Sequence, residues 1–588
     1  MIPFLDFIED DDRIIKILCK MRAKLADNRH KQHLLNNMSP DILINIKSRH
    51  DLEKMLPPRK QWLSLLENNR YKKYKLSSSK EYKQKLTSYD TNIKRLEKTI
   101  KSALKNNSPE IWVNELRDFL VNVKQSVRNP SYHIHKPITY PVSKNKFDDK
   151  GHEECRPISI FQSLTDRIVI SLVNQYLTIL FDPLFYSESL AFRASRDYHH
   201  QQKYFTTHHD AIDRITEYRL SHENEDIFVA ECDMQKFYDS VNHSIIKQEF
   251  KRLIAKIKKT NRDLDTSIIE HIFCDYLSCY NFPQDVFVLN DDKEYWKLHK
   301  NIKNGRFVWI EGELIKNKIC KSQRSISRLH IGIPQGGALS GLISNIVLNA
   351  ADNAVKKHQG DYLYLRYCDD MILMHTDQSS CDKILQTYVK SLSRLKLIPH
   401  EFNVNLQFRT RGFWKCKSKP VYKWDCKNGS DWIGFVGYEI KRTGEIRIRR
   451  QSLLKEKQKQ KRVVREICQN LDGKRRISNK SIENSIRHKL ICMSVGRVSL
   501  WNYAELRNEL CWINGFKKLT KNNFASLQIR TLDKTRNNLL RKMHWKLKIL
   551  KESSISQKID RNNKSDEIID YYGRPFSYFY HYIKNREN

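Results

Sequence analysis

The sequence predicts an α+β fold, with a central block of short strands and apolar helices set between two long, basic, helical ends. Three observations carry this. From about residue 10 to 125, apolar residues recur at helical spacing (Ile14, Ile15, Ile17, Leu18 and Met21, then Ile93, Leu96, Ile100 and Leu104), with Lys and Arg between them. From residue 131 to 450 the texture changes to alternation broken by turn residues. From residue 451 to 588 it is helical and basic again, densest in "KEKQKQKRVVREI".

Within the N-terminal extension, 1–130, Pro57-Pro58 breaks the run and no chemical motif stands out. Ile138–Val142 and Arg156–Ile160 then read as two short strands joined by a polar, charged loop. "LTDRIVISLVNQYLTILF", residues 164–181, reads as an amphipathic helix. Ile227 to Val241 reads as a buried strand that breaks at Asp233. Residues 243–330 mix basic helix with a strand-like "RFVWIEGELI". Ile331 to Val355 is a Gly/Pro turn running into a long apolar helix, and Tyr362 to His375 is a hairpin candidate. Trp432 to Arg449 reads as another hairpin, turning at Thr443-Gly444.

Lys plus Arg number 106 and Asp plus Glu 68, a formal net charge of +38 over 588 residues. So large a charge repels itself in a compact chain, and its spread along the sequence points to a folded surface or channel for a polyphosphate partner. The 13 cysteines are odd in number and lack any Cys-x-x-Cys, which disfavours a structural zinc and suits reduced thiols in a cytosol. The N-terminal stretch is acidic where a signal peptide would be basic, and no apolar run approaches a membrane span. The expectation is a cytoplasmic protein with no membrane partner.

Inside the apolar hairpin candidate stand two adjacent carboxylates, Asp369 and Asp370. Like charges side by side raise each other's pKa, and a divalent cation would relieve them. A further carboxylate, Asp233, ends the buried strand Val229–Cys232. Three carboxylates at the ends of neighbouring strands suit two metals about 3.5–4 Å apart, the arrangement for in-line nucleotidyl transfer. The plain alternative is an ordinary Asp-Asp turn and a strand-end Asp.

The surrounding segments carry a resemblance. "RYCDDMIL" resembles the Tyr-x-Asp-Asp signature of reverse transcriptases, and "DMQKFYDSVNH" their first catalytic Asp segment. "GIPQGGALSGLISNIVLN" resembles the Gly-x-Pro-Gln-Gly segment of the group II intron and retron types. "YPVSKNK", "RPISIFQSLTDRIV" and "SESLAFRASR" resemble the fingers region, and "IGFVGYEI" with "GEIRIR" the hairpin after the catalytic turn. Six segments in order span about 138 to 450. The resemblance implies a right-hand polymerase with an antiparallel-sheet palm: fingers 131–225, palm 226–450, and a helical, basic thumb region 451–588.

The resemblance also implies roles. Asp233, Asp369 and Asp370 form the catalytic triad, with Met234 beside Asp233 among the metal-contacting positions, for two Mg²⁺ ions or Mn²⁺ in their place. Tyr238 matches the steric gate that would clash with a 2′-OH and so favour dNTPs. Gln335 matches the residue that touches the incoming nucleotide, and Gly336 lets backbone approach the nascent pair. Arg156, Lys144 and Lys146 would meet the triphosphate, although the acidic loop with Asp148, Asp149, Glu153 and Glu154 departs from the family pattern. Arg193 is read as either a template or nucleotide contact or a surface salt bridge. Phe435–Gly437 would carry the primer grip, and Trp501 and Trp512 read as core of the thumb.

The long unmatched ends favour the defence-associated bacterial reverse transcriptases over group II intron and retron enzymes. That implies an RNA template in the form of a structured non-coding RNA, a DNA product, and a second defence protein or polymerase as partner. A non-catalytic RNA-binding scaffold on a polymerase fold is the alternative from another class. The C-terminal segment crowds Tyr571, Tyr572, Tyr578, Tyr580 and Tyr582, which could pack, stack bases or prime DNA synthesis on a hydroxyl.

Overall fold

The computed structural model describes residues 2–35, 51–75, 81–86, 88–194, 196–198, 202–204, 206–299, 302, 304–320, 326, 328–403, 408, 410–469, 479–495 and 512–555. The chain divides into two compact units: one holds residues 1–211, 220–424 and 428–430, the other residues 212–219, 425–427 and 431–588.

The first unit opens with helices α1 (Phe4–Glu9) and α2 (Asp11–Leu35). An antiparallel pair, β1 (Tyr71–Lys75) and β2 (Glu81–Lys85), interrupts the helices expected here. Its short runs, Tyr-Lys-Lys-Tyr-Lys and Glu-Tyr-Lys-Gln-Lys, were too polar to stand out from a basic helix. Helices α3 (Ser88–Lys105) and α4 (Ile111–Arg128) follow, and Leu116, Leu120, Val123 and Val127 bury one face of α4. The expected hairpin is β3 (Ile138–Phe147) with β4 (Glu153–Ile160), pairing Val142 with Arg156 and Ser143 with Cys155. Helix α5 (Leu164–Phe181) has the expected bounds, and the side chain of Ser163 caps it by accepting from Asp166 N–H. A short hairpin, β5 (Arg196–Tyr198) and β6 (Gln202–Tyr204), precedes α6 (His208–Ser221), of which residues 212–219 belong to the second unit.

The central sheet has the order β11-β7-β10-β9, and every neighbour is antiparallel. Its strands are β7 (Phe228–Cys232), β9 (Tyr362–Tyr367), β10 (Asp370–His375) and β11 (Lys419–Lys423). Between β7 and β9 the chain forms α7 (Phe237–Ser240), α8 (His243–Thr260), α9 (Ser267–Ser278), the two-residue β8 (Gly305–Arg306) and α10 (Ser340–Val355). Helix α10 is buried along nearly its whole length between α8 and α11 (Gln378–Arg394), and α11 packs on β7, β10 and β11. The strand expected in "RFVWIEGELI" is not formed beyond Arg306, because Glu311–Lys316 turns helical and Phe307 is buried beside Tyr295 and Trp296.

The second unit contains a three-stranded antiparallel meander rather than a single hairpin: β12 (Trp432–Phe435), β13 (Tyr438–Lys441) and β14 (Ile446–Ile448). The extra reversal lies at Val436-Gly437, where both residues have positive φ. Helices α12 (Arg450–Gln469), α13 (Asn479–Val495) and α14 (Asn523–Ile555) follow, joined by a core of Val464, Ile486, Leu490, Met543 and Leu547. Trp512 packs on Phe516 as expected of core, while Trp501 and the five tail tyrosines, 571, 572, 578, 580 and 582, lie outside the described residues.

Candidate active site

The register of the sheet brings the acidic residues together. Met371 of β10 pairs with Cys232 of β7, so the residue before one and the residue after the other meet at the same end. Asp233 is the residue after β7. Its N–H donates to Ser418 Oγ at 3.1 Å, and its carbonyl accepts from His400 N–H at 2.9 Å. Asp369 sits in the turn before β10, and Asp370 opens β10 opposite Tyr367. Burial first, and the charge of Asp233 second, push the Asp369 carboxyl up to about 6. The sequence thus placed the acidic pair correctly at one strand end.

The turn is held from beneath by residues the sequence reading passed over. Cys368 has φ +59°, an uncommon backbone state for a side chain of its kind. Its carbonyl accepts from Arg366 Nη1 at 2.8 Å. Arg366 and Asp352 of α10 are both fully buried and paired twice, Nε to Oδ1 at 2.8 Å and Nη2 to Oδ2 at 2.6 Å. Tyr364 hydroxyl donates to Asp352 Oδ1 at 2.6 Å, and Arg366 Nη2 donates to Ser189 Oγ at 2.7 Å. Every charge in this network is matched, which a buried pair requires if it is not to destabilise the fold.

Lys417 is another residue that only the structure reveals. Its Nζ lies 2.7 Å from Asp233 Oδ2 and 3.1 Å from His400 Nε2. Burial and the Lys417 charge hold the His400 imidazole below its ordinary range. Among the described residues no group of three or more His, Cys, Asp or Glu is gathered to hold a metal by itself. Asp233, Asp369 and Asp370, with the buried Met234 beside them, therefore do not make a ready cage, and the Lys417 ammonium rests on the Asp233 carboxylate. What the site offers is two mutually repelling carboxylates with hard oxygen donors. That set fits a divalent ion of the Mg²⁺ kind, which takes one or two carboxylates and completes its shell with water and substrate phosphate.

A cavity of about 430 Å³, linked to the acidic turn through Tyr238, has a lining that includes Arg156, Phe192, Arg193, Tyr238, Gln335 and Gly336. Three of the expected substrate contacts, Arg156, Tyr238 and Gln335, thus share one space with Gly336. Tyr238 feels the Asp369 charge, and burial raises its phenol well above the ordinary value. The Gly-Ile-Pro-Gln-Gly loop is laced to its surroundings by backbone: Gly332 N–H to Val241 carbonyl, Ile333 N–H to Tyr238 carbonyl, and Ser159 N–H to Gln335 carbonyl, each 2.8 Å. Gly332 is required there, because it has φ +88° and a Cβ would lie 2.7 Å from Phe282 Cβ. Gln335 Nε2 donates to Asp239 Oδ1 at 2.6 Å. Asp239 is fully buried, which raises its carboxyl, while Lys236, Gln335, Lys144 and Arg156 act to lower it.

Lys144 is not on the cavity wall; its Nζ is 2.5 Å from Glu154 Oε1. Lys146 is exposed, with Lys144 two residues before it on β3. Arg193 lines the same cavity and is not a surface bridge. Its side chain is buried, pairs with Asp182 Oδ1 at 2.6 Å and donates to the carbonyls of Tyr186, Ser189 and Asp182. A guanidinium so fully engaged organises its own loop.

Residues 286–403 match the family model described as reverse transcriptase (RNA-dependent DNA polymerase). The chain carries a reverse transcriptase domain, the domain of RNA-directed DNA polymerases, and the match includes Gln335, Asp369 and Asp370. No curated protein matches the sequence. Similar solved structures include apo telomerase from Candida tropicalis truncated from the C-terminal domain, at 16% identity and TM-score 0.31, covering 54% of this chain and 55% of that one. They also include telomerase from Candida albicans in complex with a TWJ fragment of telomeric RNA, at 12% identity, TM-score 0.32 and coverage of 80% and 75%. Apo telomerase from Candida tropicalis gives 12% identity, TM-score 0.32 and coverage of 81% and 72%. The chain thus spans 55% of the length of the first of these.

Proposed function

We propose that this chain copies an RNA template into DNA from dNTPs, with Asp233, Asp369 and Asp370 as the catalytic carboxylates. The observation that carries the reading is the convergence of Asp233 and Asp369 at one end of β7 and β10, linked through Tyr238 to a cavity walled also by Arg156 and Gln335. Two Mg²⁺ ions bound by the carboxylates would lower the pKa of the attacking 3′-hydroxyl and neutralise the leaving pyrophosphate. The chain's own residues do the rest. Tyr238 presents its ring where a ribose 2′-OH would clash. Gln335, fixed by Asp239, orients toward the incoming nucleotide, and Arg156 meets its phosphates. In this reading residues 131–225 are fingers, 226–450 palm and 451–588 thumb.

The biological role we propose is bacterial antiviral defence in the cytoplasm, with a structured non-coding RNA as template and a second defence protein or polymerase as partner. The net charge of +38 and the long ends beyond the matched segment support it. The test is to purify the chain with the nucleic acid it retains and to supply each labelled dNTP or rNTP with Mg²⁺. DNA product that disappears in an Asp369→Asn, Asp370→Asn variant supports the polymerase. A product whose mobility changes on protease treatment reveals protein priming, and its loss when Tyr571, Tyr572, Tyr578, Tyr580 and Tyr582 are all changed to Phe assigns the priming to the tail. No incorporation with any nucleotide, even with lysate from the native host added back, favours a non-catalytic RNA-binding scaffold.

A further inference from the structure

The acidic residues of the β3–β4 hairpin, where the chain departs from the family pattern, hold a second feature of the site. Glu154 Oε1 is shared by two ammonium groups, Lys144 Nζ at 2.5 Å and Lys236 Nζ at 3.1 Å. One carboxylate thus faces two lysines. Glu154 and Arg156 are two apart on β4 and so share a face, and Arg156 lines the cavity. Lys236 stands between Asp233 and Tyr238, and its backbone is left-handed, with φ +47° and ψ +45°. That state disfavours a side-chain-bearing residue, and strain of this kind is commonly retained where a site needs the residue. Lys144, Lys236 and Arg156 all surround the buried Asp239 that fixes Gln335.

We propose that Glu154 occupies the phosphate seat of the substrate-free chain, and that the triphosphate tail of an incoming nucleotide displaces it from Lys144 and Lys236. This rests on the polymerase reading for the identity of the nucleotide, but not for the existence of the seat. Lys236 becomes a phosphate-binding residue alongside Arg156 and Lys144. Glu154 becomes a selectivity device, because a ligand with less charge than a polyphosphate competes poorly with a carboxylate already held by two ammonium groups.

The full chain is titrated with inorganic tripolyphosphate, read by the shift of its thermal unfolding, and separately assayed for the dNTP dependence of incorporation. Glu154→Gln removes the internal competitor and is expected to tighten tripolyphosphate binding on the order of tenfold; Lys236→Met weakens it by a similar factor, and Lys236→Arg restores it. Glu153→Gln makes the same charge change on the other face of β4 and is expected to shift affinity by no more than about twofold. In incorporation, Lys236→Met raises KM for dNTP more than it lowers kcat. Tripolyphosphate affinity that is unchanged or weakened in Glu154→Gln overturns the proposal. So does an equal tightening in Glu153→Gln, which would mark a general field. An inactive wild-type chain that still shows the affinity shifts sinks the polymerase reading and leaves the seat standing.

Discussion

Arg366 Nη1 donates to the carbonyl of Cys368 at 2.8 Å, so the buried pair that Arg366 makes with Asp352 reaches into the turn carrying Asp369. The buried helix α10 and the turn carrying Asp369 are thereby tied through one guanidinium. The left-handed backbone of Cys368 persists because this guanidinium holds its carbonyl.

Removing that guanidinium leaves Asp352 charged in a dry core. Arg366→Met is expected to destabilise the chain by about 3–5 kcal/mol, and pairing it with Asp352→Leu is expected to recover a large part. Urea unfolding of the two single variants and the double variant checks this. A single variant within about 1 kcal/mol of wild type would show that the pair is not holding the turn.

Much of the site was legible in the sequence because its signals are local. Two acids inside an apolar alternation and one at the end of a buried strand are visible within a dozen residues. What stayed hidden depends on distant partners. Asp352 is 14 residues from Arg366 and on another element, and Lys417 is 184 residues from Asp233. Neither pairing follows from spacing without the register of the sheet. Arg193 was read outward because its partner Asp182 lies in a turn whose path the sequence does not reveal. The β1–β2 hairpin and the helix at Glu311–Lys316 were misread for a related reason: short polar strands and short helices look alike at that length.

Asp369→Asn is expected to remove activity while stabilising the fold. Its carboxyl is held up to about 6 in the folded chain, above its ordinary 3.8. Between those values the folded chain binds the extra proton, so this group's contribution to stability falls as pH rises through that window and stays lost above it. The variant is expected to unfold later than wild type at pH 7, by up to about 3 kcal/mol, and to be nearly level with it at pH 4. Mg²⁺ is expected to reverse the order at pH 7 by stabilising wild type alone. Thermal unfolding at the two pH values, with and without Mg²⁺, reads all of this.

His243 is expected to contribute acid sensitivity. It begins α8, its Nε2 lies 2.6 Å from the Gly332 carbonyl, and burial lowers its pKa from 6.5 to about 4. The unfolded chain therefore binds the extra proton between these values. Stability is full above about pH 6.5 and declines by about 3 kcal/mol as pH falls to 4. His243→Gln is expected to flatten this slope, measured as the denaturation midpoint against pH. An unaltered slope would move the acid sensitivity elsewhere.

Tyr238→Ala is expected to open the cavity to ribonucleotides, narrowing the preference for dNTP over rNTP by on the order of tenfold or more. Competing kcat/KM values for dCTP and CTP on one template measure this. An equal loss for both nucleotides would mean that Tyr238 packs the site without reading the sugar.

The central claim is that the acidic turn and its cavity make DNA on RNA. The most direct measurement is extension of a labelled primer on RNA templates that differ only in the next base, comparing wild type with Asp369→Asn. The account predicts that wild type adds the complementary dNTP alone and changes its choice when the template base changes, while the variant adds nothing. Incorporation that ignores the template base, or that persists in Asp369→Asn, would contradict it.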